Sequence, residues 1–203
     1  MTGVGNLHRT VIIMVKEPRP GRVKTRLGRD IGLIGSAWWF RHQSRAVIRR
    51  LARDRRWRVI LAVSPDREGL MSRVWPDGAI RIPQGQGDLG ARMRRAFGQV
   101  SQGPVVLIGA DIPGITPAMI AEAFQELGHS DVVFGPAMDG GFWLVGLRQT
   151  QVLPRGLFQD VRWSTDRTLA DTLAGLNGLR VSQINRLRDV DTGDDLNRLN
   201  AQG

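Results

Sequence analysis

At 203 residues, 41% of them apolar, the chain is long enough to bury a sizeable core and has the length of one ordinary domain, which predicts a single domain over 1–203. It contains no cysteine, which excludes a disulfide framework, a thiolate nucleophile and a cysteine metal site. The net charge of +10 comes from arginines spread over helix faces, such as Arg45, Arg49, Arg53 and Arg56. Without an aromatic-interleaved basic motif or zinc knuckle, that spread predicts arginine-biased composition rather than a specific nucleic-acid surface.

The start, Met1 to Thr10, is polar and lacks the apolar stretch of a signal peptide, and no later run reaches membrane-spanning length. The expectation is a cytoplasmic protein with no membrane partner. Residues 11–15 then read as a strand, followed by the basic segment Lys16-Glu-Pro-Arg-Pro-Gly-Arg-Val-Lys24-Thr-Arg-Leu27. Helices are predicted over 36–53, 89–100, 117–127 and 165–176, and further strands over 59–63, 105–108, 131–134 and 142–145. The third helix carries its own punctuation, with Thr116 as N-cap, Pro117 at the first position and Gly128 after the end. Alternation of apolar strands with amphipathic helices predicts an α/β fold of three layers, a mostly parallel sheet flanked by helices. In such sheets ligands bind beyond the carboxyl ends of the strands, so chemistry should collect in the loops that follow them.

The basic loop holds the only two lysines of the chain, Lys16 and Lys24. A compact ammonium meets phosphate as a point charge, and a strand followed by a Gly/Pro-rich basic loop suits a phosphate cradle; a solvated basic turn would use the same residues. Gln84-Gly-Gln-Gly-Asp-Leu-Gly90 leads into a helix and suits close approach of a base or phosphate at the helix N-terminus. Asp111, just after a buried-type strand, reads either as a ligand for Mg²⁺ or Mn²⁺ or as a turn acid before Pro113. Asp139-Gly140-Gly141 reads as a hairpin turn or as an acceptor site with Asp139 as ligand or base. Ser164, at the opening of a helix, reads as a cap. Asp189 and Asp191 stand at i and i+2, where extended backbone turns two carboxylates to one side; Asp191 or Thr192 would otherwise cap the final helix. His8, His42 and His129 show no ligand spacing.

Taken in order, these segments resemble a bacterial family (DUF2064-like) regarded as glycosyltransferases and related to 2-phospholactate guanylyltransferases, with the nucleotide-diphospho-sugar transferase (GT-A) fold. The matching stretches are residues 15–27, 84–90, 109–113, 135–147, 163–165 and 187–192. The resemblance implies that the loop 16–26 lies along nucleotide phosphates, with Lys16, Arg22, Lys24, Thr25 and Arg26 as contacts and Gly85, Gly87 and Asp88 completing the nucleotide site. It implies that Asp111 is the metal-binding aspartate, joined by Asp189 and Asp191. Family members often carry Tyr after the Asp-Gly-Gly, where this chain has Phe142 and no tyrosine anywhere. A phenol hydroxyl therefore has no part here, whereas Phe142 still allows a hydrophobic stack.

The resulting expectation is a transferase dependent on Mg²⁺ or Mn²⁺ that uses a nucleotide or nucleotide-sugar donor and a small-molecule acceptor. Glycosyl transfer stands slightly ahead of nucleotidyl transfer, and a nucleic-acid-binding protein or a non-catalytic nucleotide sensor are the alternatives of another class. Asp111, Asp139 and Lys24 are the expected catalytic residues, and Asp139, Gly140, Gly141 and Trp143 the expected acceptor side.

Overall fold

The computed structural model describes residues 9–100 and 102–201; most of the polar start, His8 included, lies outside the described residues. Strands β1 (Thr10–Lys16), β2 (Arg58–Ser64), β3 (Ile80–Pro83), β4 (Val105–Gly109), β5 (Val132–Pro136), β6 (Phe142–Leu147) and β7 (Val181–Gln183) form one sheet in the order β3-β2-β1-β4-β6-β5-β7. All run parallel except β6, which is antiparallel to β4 on one side and β5 on the other.

Side chains alternate strictly along these strands, and this builds the layers. Val11, Ile13 and Val15 of β1, with Val106 and Ile108 of β4, face one helical layer, where Val47, Ile48 and Leu51 of α2 (Leu33–Ala52) meet Ile120 and Phe124 of α5 (Pro117–Glu126). Ile12 of β1 and Val105 and Leu107 of β4 face the other, made by Met93, Ala96 and Phe97 of α4 (Leu89–Gly98) with Leu157, Phe158 and Leu176. Both faces being covered, the central strands read as unbroken apolar runs, as parallel sheets require. The remaining helices are α1 (Leu27–Ile31), α3 (Asp66–Met71), α6 (Thr168–Ala174) and α7 (Gly193–Asn200). The caps of α5 are as expected: the Thr116 side chain accepts from the Met119 amide, and Pro117 opens the helix.

Arginine has an internal use that its scatter in the sequence does not reveal. Arg50 donates to the carbonyls of Pro113 and Ile115, Arg94 to those of Pro154 and Leu157, Arg95 to those of Gln84 and Gln86, and Arg148 to those of Leu127 and Gly128. A planar fork with several N–H groups can tie two loop carbonyls at once, which an ammonium does less well. Part of the basic excess is therefore loop scaffolding.

Candidate functional site

Because β1, β3, β4, β5 and β7 run parallel, the loops after them gather at one edge, where the β5–β6 hairpin also turns. A cleft of about 500 Å³ opens there. Lys16 lines it from the end of β1, Arg22 and Lys24 from the loop after it, Asp111 from the loop after β4, Asp139 and Gly141 from the hairpin, and Asp189 and Asp191 from the segment after β7.

At its centre is Lys24. Its ammonium lies 2.9 Å from Asp111 Oδ2 and donates to Asp191 Oδ1 at 2.8 Å, and its side chain is only 7% exposed. Burial alone would push this amine down, but the adjacent Asp111 and Asp191 carboxylates outweigh it and hold Lys24 above its ordinary value. Arg26, largely exposed, donates to Asp191 Oδ2 at 3.3 Å. Lys24 has φ +43°, in the left-handed region, which is uncommon and costly for a side chain with a Cβ. Glycine makes room for Asp111: a Cβ on Gly109 would stand 2.9 Å from Asp111 Oδ1.

Asp189 sits beside this pair and is half-buried. Burial first, then the negative charge of Asp191 with contributions from Asp139 and Asp111, pushes its pKa up to about 6 against the opposing pull of Lys24. A carboxyl raised from 3.8 to about 6 on folding contributes stability below pH 3.8 that is lost as pH rises to about 6, above which the folded state bears the cost of charging it. Asp189→Asn should therefore be more stable than wild type at pH 8, by about 1 kcal/mol once solvent screening of a half-exposed group is allowed for, and equally stable at pH 4. Thermal melts across that range check it, and a variant less stable at pH 8 would count against the charge cluster.

Among the described residues, no group of three or more His, Cys, Asp or Glu side chains forms a metal cage. The donor set nevertheless fits a hard divalent ion. Two anionic oxygens already converge on one cation, the Lys24 ammonium, and Mg²⁺ is commonly held by one or two carboxylates together with substrate phosphates and water.

The other expected residues divide. Thr25 is not in the cleft lining, nor are Gly85, Gly87 and Asp88. Asp88 caps α4 by accepting from the Ala91 amide, and the Gly85 amide donates to Asp66. Asp139 lines the cleft while its Oδ1 accepts from the Gly141 amide, so the hairpin turn and the cleft position coexist. Gly140 is not in the lining; a Cβ there would stand 2.2 Å from the Asp166 carbonyl oxygen. Trp143 reaches the cleft but is 2% exposed and donates to the Asn185 carbonyl. Ser164 does not cap a helix: α6 starts later, with Arg167 at the N-cap, and Ser164 has φ +60° and lines the cleft. The final helix is capped by Thr192 in a reciprocal pair with Asp195, which leaves Asp191 to the lysine.

Sequence reasoning missed Arg92 and took Gln84 only as the first residue of the Gly-rich stretch, with no role of its own. Gln84 is 2% exposed, donates to the carbonyls of Val15 and Ala62, and accepts from Arg92. Both line the cleft. The signal was a glutamine at a strand end, which periodicity does not distinguish from a loop residue. The stack expected in place of a tyrosine is present: Phe142 meets Phe134 edge-on at 5.2 Å between centroids, Phe158 in stacked orientation at 6.2 Å and Trp163 edge-on at 6.4 Å.

Comparisons with known proteins agree with this architecture. The family described as "Uncharacterized protein conserved in bacteria (DUF2064)" matches residues 47–165. A protein of Desulfovibrio desulfuricans G20, provisionally named a nucleotide-diphospho-sugar transferase, is 32% identical, with a TM-score of 0.85 over 94% of this chain and 85% of that one. The 4-diphosphocytidyl-2C-methyl-D-erythritol synthase of Anaerococcus prevotii shares the fold at 11% identity, with a TM-score of 0.63 over 97% of this chain and 98% of that one. So does a Mycobacterium tuberculosis H37Rv protein solved in complex with manganese, at 19% identity and a TM-score of 0.52, covering 95% of this chain and 97% of that one. Comparison with curated proteins found no match. From the family match over more than half its length and the one-third identity to a solved relative, the chain belongs to the bacterial DUF2064 family and has the nucleotide-diphospho-sugar transferase fold.

Proposed function

We propose that the protein is a divalent-cation-dependent transferase that takes a nucleotide donor in this cleft, with glycosyl transfer from a nucleotide sugar to a small hydroxyl-bearing acceptor as the favoured reaction. The observation that carries this reading is one cleft at the carboxyl edge of the sheet lined by Lys16, Arg22 and Lys24 together with Asp111, Asp189 and Asp191, with Lys24 paired to two of the acids. The leaving group is a nucleoside diphosphate, and its developing charge needs preorganised cations. Lys16 at the end of β1 and Arg22 in the loop after it supply two. Asp111 with Asp189 or Asp191 would hold the divalent ion, which when bound neutralises phosphate oxygens as a Lewis acid. Asp139 faces the acceptor side with Oδ2 free of the turn hydrogen bond and would take the proton of the attacking hydroxyl as its oxygen bonds to the anomeric carbon. Phe142 and Trp163, backed by the buried ring of Phe158, offer an apolar wall there.

Nucleotidyl transfer is the second reading, favoured by three cations at the end of β1 and in the loop after it, enough to meet a triphosphate. Incubation with candidate donors and Mg²⁺ or Mn²⁺ separates the two. Nucleoside diphosphate released from a nucleotide sugar is the expected product, whereas pyrophosphate released from a nucleoside triphosphate would establish the second. A thermal shift finds the donor first, since a ligand at about a hundred times its Kd stabilises by about 2.7 kcal/mol. No shift with any nucleotide would remove both.

A further inference from the structure

The two lysines of the cleft are placed differently. Lys16 is exposed at the end of β1 and, among the described residues, makes no ion pair, whereas Lys24 is closed between Asp111 and Asp191. An ammonium at 2.8 and 2.9 Å from the two carboxylates occupies the position between them that a cation bridging them would need. A divalent ion entering beside it would meet like charge at short range. The backbone supports this placement: the residue keeps a left-handed φ of +43°, and its carbonyl accepts from the Gly28 amide at the start of α1. The ammonium is compact and ends a flexible stem, so it can leave its partners without moving the loop.

We propose that Lys24 is the resident counter-cation of the Asp111–Asp191 pair, and that divalent-ion binding displaces it from the carboxylates towards the donor phosphates. Metal and nucleotide then bind in concert. The ion removes the lysine's carboxylate partners, and the phosphates provide new ones beside Lys16 and Arg22. Lys24 is in this sense a positioning residue that keeps the two acids together before the ion binds and makes the metal site conditional on substrate. This inference rests on the cation-dependent reading of the cleft.

Mn²⁺ binding without nucleotide, followed by water-proton relaxation, tests it on wild type and Lys24→Met, with thermal melts to establish folding. Lys24→Met should bind Mn²⁺ at least about tenfold more tightly than wild type, a direction that a merely structural role would not produce, and Lys24→Arg should restore weak binding. Equal or weaker Mn²⁺ affinity in folded Lys24→Met overturns the inference. Uptake of no Mn²⁺ by wild type or variant would instead bring down the cation reading of the cleft itself. Wild type alone offers a second test, since only two lysines exist and amine acylation can be mapped to each by mass spectrometry. Lys24 should react slowly in the metal-free protein and several-fold faster with saturating Mg²⁺, while Lys16 is unchanged. A Lys24 rate indifferent to Mg²⁺ overturns the inference whether or not the variant folds.

Discussion

Asp111→Asn should lower metal-dependent transfer by about 10²- to 10³-fold, the cost of removing one electrostatic partner of a developing charge. The loss should fall on chemistry and metal binding rather than on folding. Asp111 is 37% exposed, the amide has the same shape, and Lys24 retains Asp191 as a partner at 2.8 Å. The divalent-dependent part of the nucleotide thermal shift should disappear with activity, while the melting temperature without ligands moves little. A variant that keeps the full metal-dependent shift would show that Asp111 is a turn acid and that the ion, if any, is held elsewhere.

Gly140→Ala is expected to be strongly destabilising at the tip of the hairpin. Gly140 has φ +87°, and a Cβ there would lie 2.2 Å from the Asp166 carbonyl oxygen and 2.5 Å from its Cα. The Gly140 carbonyl accepts from the Leu169 amide near the start of α6, so the tip of the hairpin is docked backbone to backbone and has nowhere to retreat. Left-handed strain plus a forced backbone shift should cost about 2–4 kcal/mol, or about 5–15 °C in Tm for a chain of this size. Gly178→Ala is the control. Its φ is +81° with nothing within 4 Å of the added methyl, so it carries the strain alone, about 1 kcal/mol. If the two variants melt alike, the close approach to Asp166 is not what requires glycine at 140, and the residue returns to the acceptor-site role read from sequence.

The sequence by itself determined the layers and the edge at which the cleft lies. Runs such as residues 11–15, 59–63 and 105–108 announce central strands because a strand covered on both faces must be apolar at every position, a local property. Caps did the same for α5, whose boundary chemistry lies within a few residues of Thr116. The elements that escaped are those with little local signal. β3 is four residues and partly exposed, β7 is three, and both are edge strands; α1 and α3 are short helices of five and six residues.

The members of the site were also legible as residue types, since lysines and aspartates next to strand ends invite the same chemistry wherever they occur. Their relations were not. Lys24 and Asp191 are 167 positions apart, and nothing local records that their side chains meet. Parallel register brings the loops after β1, β4 and β7 to one edge, and the sheet order decides which of them are neighbours. Likewise Gly85, Gly87 and Asp88 look from sequence like a phosphate-binding turn. Tertiary packing sets Gly85 against Arg95 and spends the Asp88 carboxylate on the Ala91 amide, leaving Gln84 and Arg92 to face the cleft. Spacing along a chain fixes which face of its own element a residue occupies. Only the packing of elements decides what stands opposite, and in this protein a lysine stands opposite two aspartates.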